Sequence, residues 1–146
     1  METFYKLKKD LVENTASKKV VSADHFIIEK NKIYAGLHII LDIWGINFDN
    51  STKTMKKIMK AAVKKGKATL LHIHLHKFGK EEGISGVAVL AESHISVHTW
   101  PERDYMAFDI FMCGDTDPFL ATEEIIKFFK PNKKKVQIFF RGESKS

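Results

Sequence analysis

Chemistry in this chain concentrates between Gly83 and Gly114. Glu92-Ser93-His94 places a hydroxyl beside a carboxylate and an imidazole, and Cys113 closes an apolar run twenty residues later. A serine next to a base can act as a nucleophile, and a thiol can give or take a proton near neutral pH. His94, Ser96, His98 and Trp100 alternate with Ile95, Val97 and Thr99, so in a strand they share one face. Ser85 stands in Gly83-Ile84-Ser85-Gly86, where flanking glycines let the backbone approach a reacting group closely. Read alone, these residues suggest a hydrolase only weakly. There is no Gly-x-Ser-x-Gly elbow, and no carboxylate is placed to orient a histidine. His72, His74 and His76 also share one strand face. They project roughly 6.6–7 Å apart, too far for one zinc ion without further ligands, so no metal is expected.

These residues need elements to position them. Leu37, Ile39, Leu41 and Ile43 alternate within 33–46, which reads as a strand. Asp49, Asn50 and Ser51 supply N-cap chemistry for a helix whose apolar stripe is Met55, Ile58, Met59, Ala62 and Val63, closed near Gly66. Strand-like runs follow at 68–78, 83–90, 94–100 and 105–113, separated by turn-forming residues. Asp117-Pro118 opens a second helix that Pro131 ends, and 136–141 reads as a last strand. The order β-α-β-β-β-β-α-β has too few helices for a doubly wound parallel sheet. It predicts an α+β two-layer sandwich, a mostly antiparallel sheet with two main helices on one face. The other face then needs a cover, and a second copy of the chain supplies one, pairing sheet faces in a dimer.

The bulk properties narrow the class. The chain has 146 residues, 44% of them hydrophobic and 29% charged, an ordinary balance for one packed domain. Residues 1–31 read as an N-terminal extension to which no chemistry is assigned, although 1–15 has some helical character, and 32–146 read as the domain. The net charge of +6 permits a nucleic-acid partner, but no basic-aromatic stripe accompanies the lysines, so nucleic acid is not expected. A single cysteine excludes an intramolecular disulfide and suits a reducing cytoplasm. No apolar run reaches membrane-spanning length, so neither membrane nor leader is expected.

The block Glu92-Ser-His-Ile-Ser-Val-His-Thr-Trp-Pro-Glu102, followed by Phe108-Asp-Ile-Phe-Met-Cys-Gly114, closely resembles the prokaryotic S-adenosylmethionine decarboxylase proenzymes. The likeness extends more loosely from about Ile33 to Gly142 and leaves the first thirty residues unmatched. It implies self-cleavage between Glu92 and Ser93, giving chains 1–92 and 93–146. The Ser93 oxygen attacks the preceding carbonyl, turning amide into ester; elimination frees the upstream chain, and loss of ammonia leaves a pyruvoyl group at position 93. The resemblance implies His98 as the processing base, Cys113 as the proton donor to the substrate carbon, Ser85 as support for processing, and Phe78 as an aromatic against the substrate's adenine. The pyruvoyl ketone would form a Schiff base with the substrate amine and act as electron sink, so neither pyridoxal phosphate nor metal is required.

The implied reaction converts S-adenosylmethionine to its decarboxylated, aminopropyl-donating form and carbon dioxide, for spermidine synthesis. The implied assembly is a homodimer of cleaved units. Within the same family, arginine or ornithine is the rival substrate. The loop after Phe78, Gly79-Lys-Glu-Glu82, lacks a proline often found there in the S-adenosylmethionine enzymes, and Asp42 stands where glutamate is usual. Outside the enzyme class, the rival is a basic nucleic-acid-binding module.

Overall fold

In a computed structural model, residues 5, 6, 8, 9, 20, 21, 23–29 and 32–145 are described. The helical character of 1–15 falls largely outside them, although Tyr5, Lys6, Lys8 and Lys9 are helical and Lys8 pairs with Glu123. The described strands run β1 Val20–Val21, β2 Ile27–Glu29, β3 Lys32–Tyr34, β4 Gly36–Trp44, β5 Leu70–Lys77, β6 Ile84–Leu90, β7 Ser93–Trp100, β8 Tyr105–Met112, β9 Lys133–Arg141 and β10 Ser144–Lys145. Helix α1 spans Thr52–Lys65 and α2 spans Pro118–Phe129.

The main sheet has strand order β5-β6-β7-β8-β4-β9, and every neighbouring pair is antiparallel. A smaller sheet, β1-β2-β3-β10, joins the N-terminal segment to the chain's other end. The 31/32 boundary falls inside its β2–β3 hairpin. The single strand expected over 33–46 divides at Ala35 into β3 and β4, which serve different sheets.

Both helices begin as their capping residues dictate. Ser51 accepts a hydrogen bond from Thr54 N–H, and Asp117 accepts from Phe119 and Leu120 N–H with Pro118 at the first position. Their apolar stripes, Met55, Ile58, Met59, Ala62 and Val63 on α1 and Phe119, Ala121, Ile125 and Phe129 on α2, lie in one core with Ile39, Leu41, Ile95, Val97, Phe108 and Ile110 of the sheet. Each large side chain withdrawn from water in this layer contributes about 1.5–3 kcal/mol. The fold is therefore the α+β two-layer arrangement expected, with both helices on one face.

Because side chains alternate, register determines what the opposite, helix-free face displays. Rows across β5, β6, β7, β8 and β4 read His72–Val89–His94–Phe111–His38, then His74–Val87–Ser96–Asp109–Ile40, then His76–Ser85–His98–Ala107–Asp42. At the far end Trp100, Tyr105 and Trp44 stack in a ladder with successive ring centroids 5.1 Å apart. Lys133 lies 5.0 Å above the Trp44 ring.

Candidate active site

The β6–β7 hairpin has a two-residue loop, Ala91–Glu92, with Leu90 paired to Ser93. Glu92 closes it with φ +67°, a left-handed conformation that costs a non-glycine residue about 1–2 kcal/mol. That strain sits on the residue whose carbonyl forms the peptide bond to Ser93. Ser93 begins β7 on the core side and is 6% exposed. Its Oγ accepts a hydrogen bond from Cys113 N–H at 3.1 Å.

Cys113 leaves β8 at the same end of the sheet. Its carbonyl accepts from Thr116 N–H and Oγ1–H, which fixes the turn, and Gly114 follows with φ +58°. The thiol also explains Gly36. A Cβ built there would lie 2.5 Å from the Met112 carbonyl oxygen and 3.0 Å from Cys113 Sγ, so only glycine lets β4 begin so close to the cysteine.

Ser85 and His98 meet elsewhere. They are register partners on β6 and β7, and Ser85 Oγ lies 2.8 Å from His98 Nδ1. A shallow cleft beside them is lined by Phe78, Glu82, Trp100 and Glu102 among others. Phe78 is 61% and Trp100 39% exposed, so two aromatic faces stay open next to the imidazole. Behind the cleft, the Gly83 position has no room for a Cβ, which would lie 2.0 Å from the Thr99 carbonyl oxygen.

The structure thus gathers the candidate residues into two groups. Ser93 and Cys113 form one; Ser85, His98 and Phe78 form the other. Within one chain the groups are far apart. His98 lies five residue steps along β7 from Ser93, about 16 Å of β-structure. The odd number also puts them on opposite faces: Ser93 is buried under the helices and His98 is exposed. His72, His74 and His76 occupy the helix-free face, as alternation requires.

Between the groups lies a polar cluster that spacing alone did not single out. His38 Nε2 is 3.0 Å from Asp109 Oδ1, Arg141 approaches His38 Nδ1 at 3.1 Å, and Ser96 Oγ–H donates to Asp109 Oδ2 at 3.4 Å. Nearby, Tyr105 donates to Asp42 at 2.5 Å, and burial together with that carboxylate pushes the phenol up to about 12, keeping it a neutral donor. Burial likewise lowers the His94 pKa, with repulsion from His38 and Arg141 adding to the shift and Asp109 opposing it.

The His94 shift has a definite sign. On acidification the unfolded chain takes up this proton before the folded one does, so stability falls as pH drops through and below the ordinary histidine range. The thermal midpoint is expected to decrease between about pH 7 and pH 5.5, and less steeply in His94→Gln. An equal decrease in both proteins removes His94 as a contributor.

What this two-layer fold and divided site define is a class: small α+β chains with a serine-led hairpin facing a cysteine across the sheet end. The comparisons with known proteins specify it. Residues 37–142 match the family described as S-adenosylmethionine decarboxylase, and the chain belongs to that family. A protein of Methanococcus maripaludis strain S2 named S-adenosylmethionine decarboxylase proenzyme is 46% identical over 110 residues, covering 73% of this chain and 89% of that one. A protein of the same name from Sulfurihydrogenibium is 41% identical over 110 residues, with 73% and 82% covered. The crystal structure of the adenosylmethionine decarboxylase from Aquifex aeolicus superposes with a TM-score of 0.68 at 33% identity, covering 75% of this chain and 92% of that one. Among the described residues, no helix is long and apolar enough to cross a membrane.

Proposed function

We propose that this chain is a proenzyme that cuts itself between Glu92 and Ser93 and then decarboxylates S-adenosylmethionine. The observation that carries the reading is the Ser93–Cys113 pairing beneath a strained Glu92. The scissile residue is held left-handed, the serine oxygen is held by the Cys113 N–H, and the cysteine lies beside it. Family membership supports the same activity. The pyruvoyl group that cleavage would leave at position 93 supplies an electron sink for the carbanion formed as carbon dioxide departs. The residues present fit its formation, because the precursor serine is buried, held at its oxygen and flanked by a potential proton donor.

The cut uses this chain's own atoms and one water molecule. Ser93 Oγ bonds to the Glu92 carbonyl carbon as the C–N bond breaks, freeing the Ser93 amine and leaving an ester. Removal of the Ser93 α-proton then expels Glu92 as a carboxylate, and water replaces the nitrogen, which leaves as ammonia. Relief of the Glu92 backbone strain favours the cut.

His98 is the proposed base for α-proton removal. If Nδ1–H donates to Ser85 Oγ, the Nε2 lone pair is free to accept, so Ser85 acts by holding the tautomer. His98 has no path to Ser93 of its own chain, about 16 Å away on the other side of the sheet. It therefore serves a second copy. Two chains pairing their helix-free faces head to tail lay His98, Ser85 and Phe78 of one over the sheet end of the other, where the β6–β7 turn carries the Glu92–Ser93 bond and Cys113 leaves β8, which makes the enzyme a homodimer with shared sites.

Phe78 and Trp100 flank His98 with open aromatic faces, a setting that attracts a sulfonium cation by roughly 0.5–2 kcal/mol. This favours S-adenosylmethionine over ornithine, whose ammonium is strongly hydrated; against arginine, whose guanidinium also stacks on aromatic rings, the choice rests on the family match. Release of labelled carbon dioxide from the three substrates in parallel tests the choice. Turnover of arginine or ornithine alone overturns it. In the same assay Cys113→Ala is expected to be cut normally yet to lose roughly 10²–10⁴-fold in turnover, the range for removing a positioned proton donor. Unchanged turnover removes the thiol from that role.

A further inference from the structure

The N-terminal segment lies outside the 37–142 match, yet it reaches the cleavage site. His25 Nδ1 is 3.2 Å from Glu92 Oε2, and the His25 carbonyl accepts a hydrogen bond from Gly114 N–H at 3.1 Å. His25 also packs over Gly114 itself: a Cβ built on that glycine would meet His25 Cβ and Nδ1 at 3.6 Å. The small sheet holds the segment in place. Strand β2 pairs with β3 and β3 with β10, while Ile27 and Tyr34 are buried and the Tyr34 ring packs at a tilt against Phe140 with centroids 4.5 Å apart. His25 adopts φ +64°, a conformation in which histidine is over-represented among non-glycine residues, and it is the bend that brings both of its ends to bear.

These contacts bracket one peptide bond. Through its ring His25 holds Glu92, whose carbonyl is attacked. Through Gly114, the neighbour of Cys113, it holds the turn whose Cys113 N–H fixes the attacking Ser93 oxygen.

We propose that the N-terminal segment is a built-in processing clamp, with His25 as a positioning residue that fixes Glu92 and the Cys113–Gly114 turn relative to each other across the Glu92–Ser93 bond. The proposal rests on self-cleavage at that bond. Its physical basis is proximity: attack of a hydroxyl on the preceding carbonyl needs a close, aligned approach, and misplacement by about 1 Å can cost two orders of magnitude. His25 belongs to the 1–92 fragment and Gly114 to 93–146. After the cut, the carbonyl–amide bond joins the two products, and the ring remains on the residue that has become a chain terminus.

The test follows the full chain from synthesis, measuring the cut fraction over time on denaturing gels after a pulse of cell-free translation. His25→Ala is expected to slow first-order cleavage by roughly ten- to a hundred-fold. His25→Asn keeps tolerance for the left-handed backbone and a donor near the Nδ1 position, so it is expected to restore most of the rate. Glu92→Ala breaks the same contact without touching the N-terminal segment. In His25→Ala/Glu92→Ala the rate is expected to be no lower than in the slower single variant. A wild-type rate in His25→Ala overturns the clamp, as does failure of Asn to rescue or strict additivity of the two alanine variants. A wild-type chain that is never cut instead defeats the self-cleavage reading, so the two failures are distinct.

Discussion

Ser93→Ala is expected to remain a single uncut chain with no measurable decarboxylation. The effect is total because the side chain serves twice: its oxygen is the nucleophile that opens the Glu92–Ser93 bond, and its carbons become the reactive group. Alanine supplies neither an oxygen to attack nor a leaving group at Cβ. The fold should tolerate the change. Ser93 is a small residue at a strand start, and its loss removes one hydrogen bond from Cys113 N–H, a cost of about 1–3 kcal/mol. A thermal melt separates this outcome from misfolding, since a folded, uncut chain retains a cooperative transition. Normal cutting in Ser93→Ala contradicts the assigned bond.

The second large effect concerns His98. His98→Ala alone is expected to be cut at least about 100-fold more slowly than the parent, the usual consequence of removing a positioned base. Co-expressed with Ser93→Ala, it is expected to recover cutting, because a mixed dimer contains one site with intact Ser93 from the first chain and intact His98 from the second. With equal amounts and random pairing, about half of the His98→Ala chains can be cut, and no Ser93→Ala chain can. Tagging the two chains differently makes the readout direct. If the mixture is cut no better than His98→Ala alone, the base acts within its own chain, and the separation of the two groups has another meaning.

The layer architecture was legible in the sequence because two periods were clean. Met55, Ile58, Met59, Ala62 and Val63 recur at helical spacing, and Ser51 and Asp117 announce the helix starts through cap chemistry that depends only on neighbours. Alternation in 93–100 correctly placed His94, Ser96, His98 and Trp100 on one face. The same alternation, carried one step further, separates Ser93 from His98, a consequence visible only when both are considered on one strand. The Ser85–His98 and Ser93–Cys113 pairs depend on strand register, which the sequence leaves open.

Two elements escaped sequence reading for a different reason. His25 is a lone histidine in a stretch without periodicity, 67 positions before its partner Glu92, and no local rule links them. Gly36 looks like any glycine at a strand start until the Met112 carbonyl and the Cys113 sulfur are in place around it. The His25 contact depends on the small β1-β2-β3-β10 sheet, whose strands are two or three residues long, too short to leave a pattern.

Mass spectrometry of the purified, catalytically active protein tests the central claim most directly. Two polypeptides are predicted: residues 1–92 with a free carboxyl end at Glu92, and residues 93–146 lighter by one ammonia than a fragment beginning with ordinary serine. Active material consisting solely of the continuous chain, with Ser93 unaltered, contradicts the account.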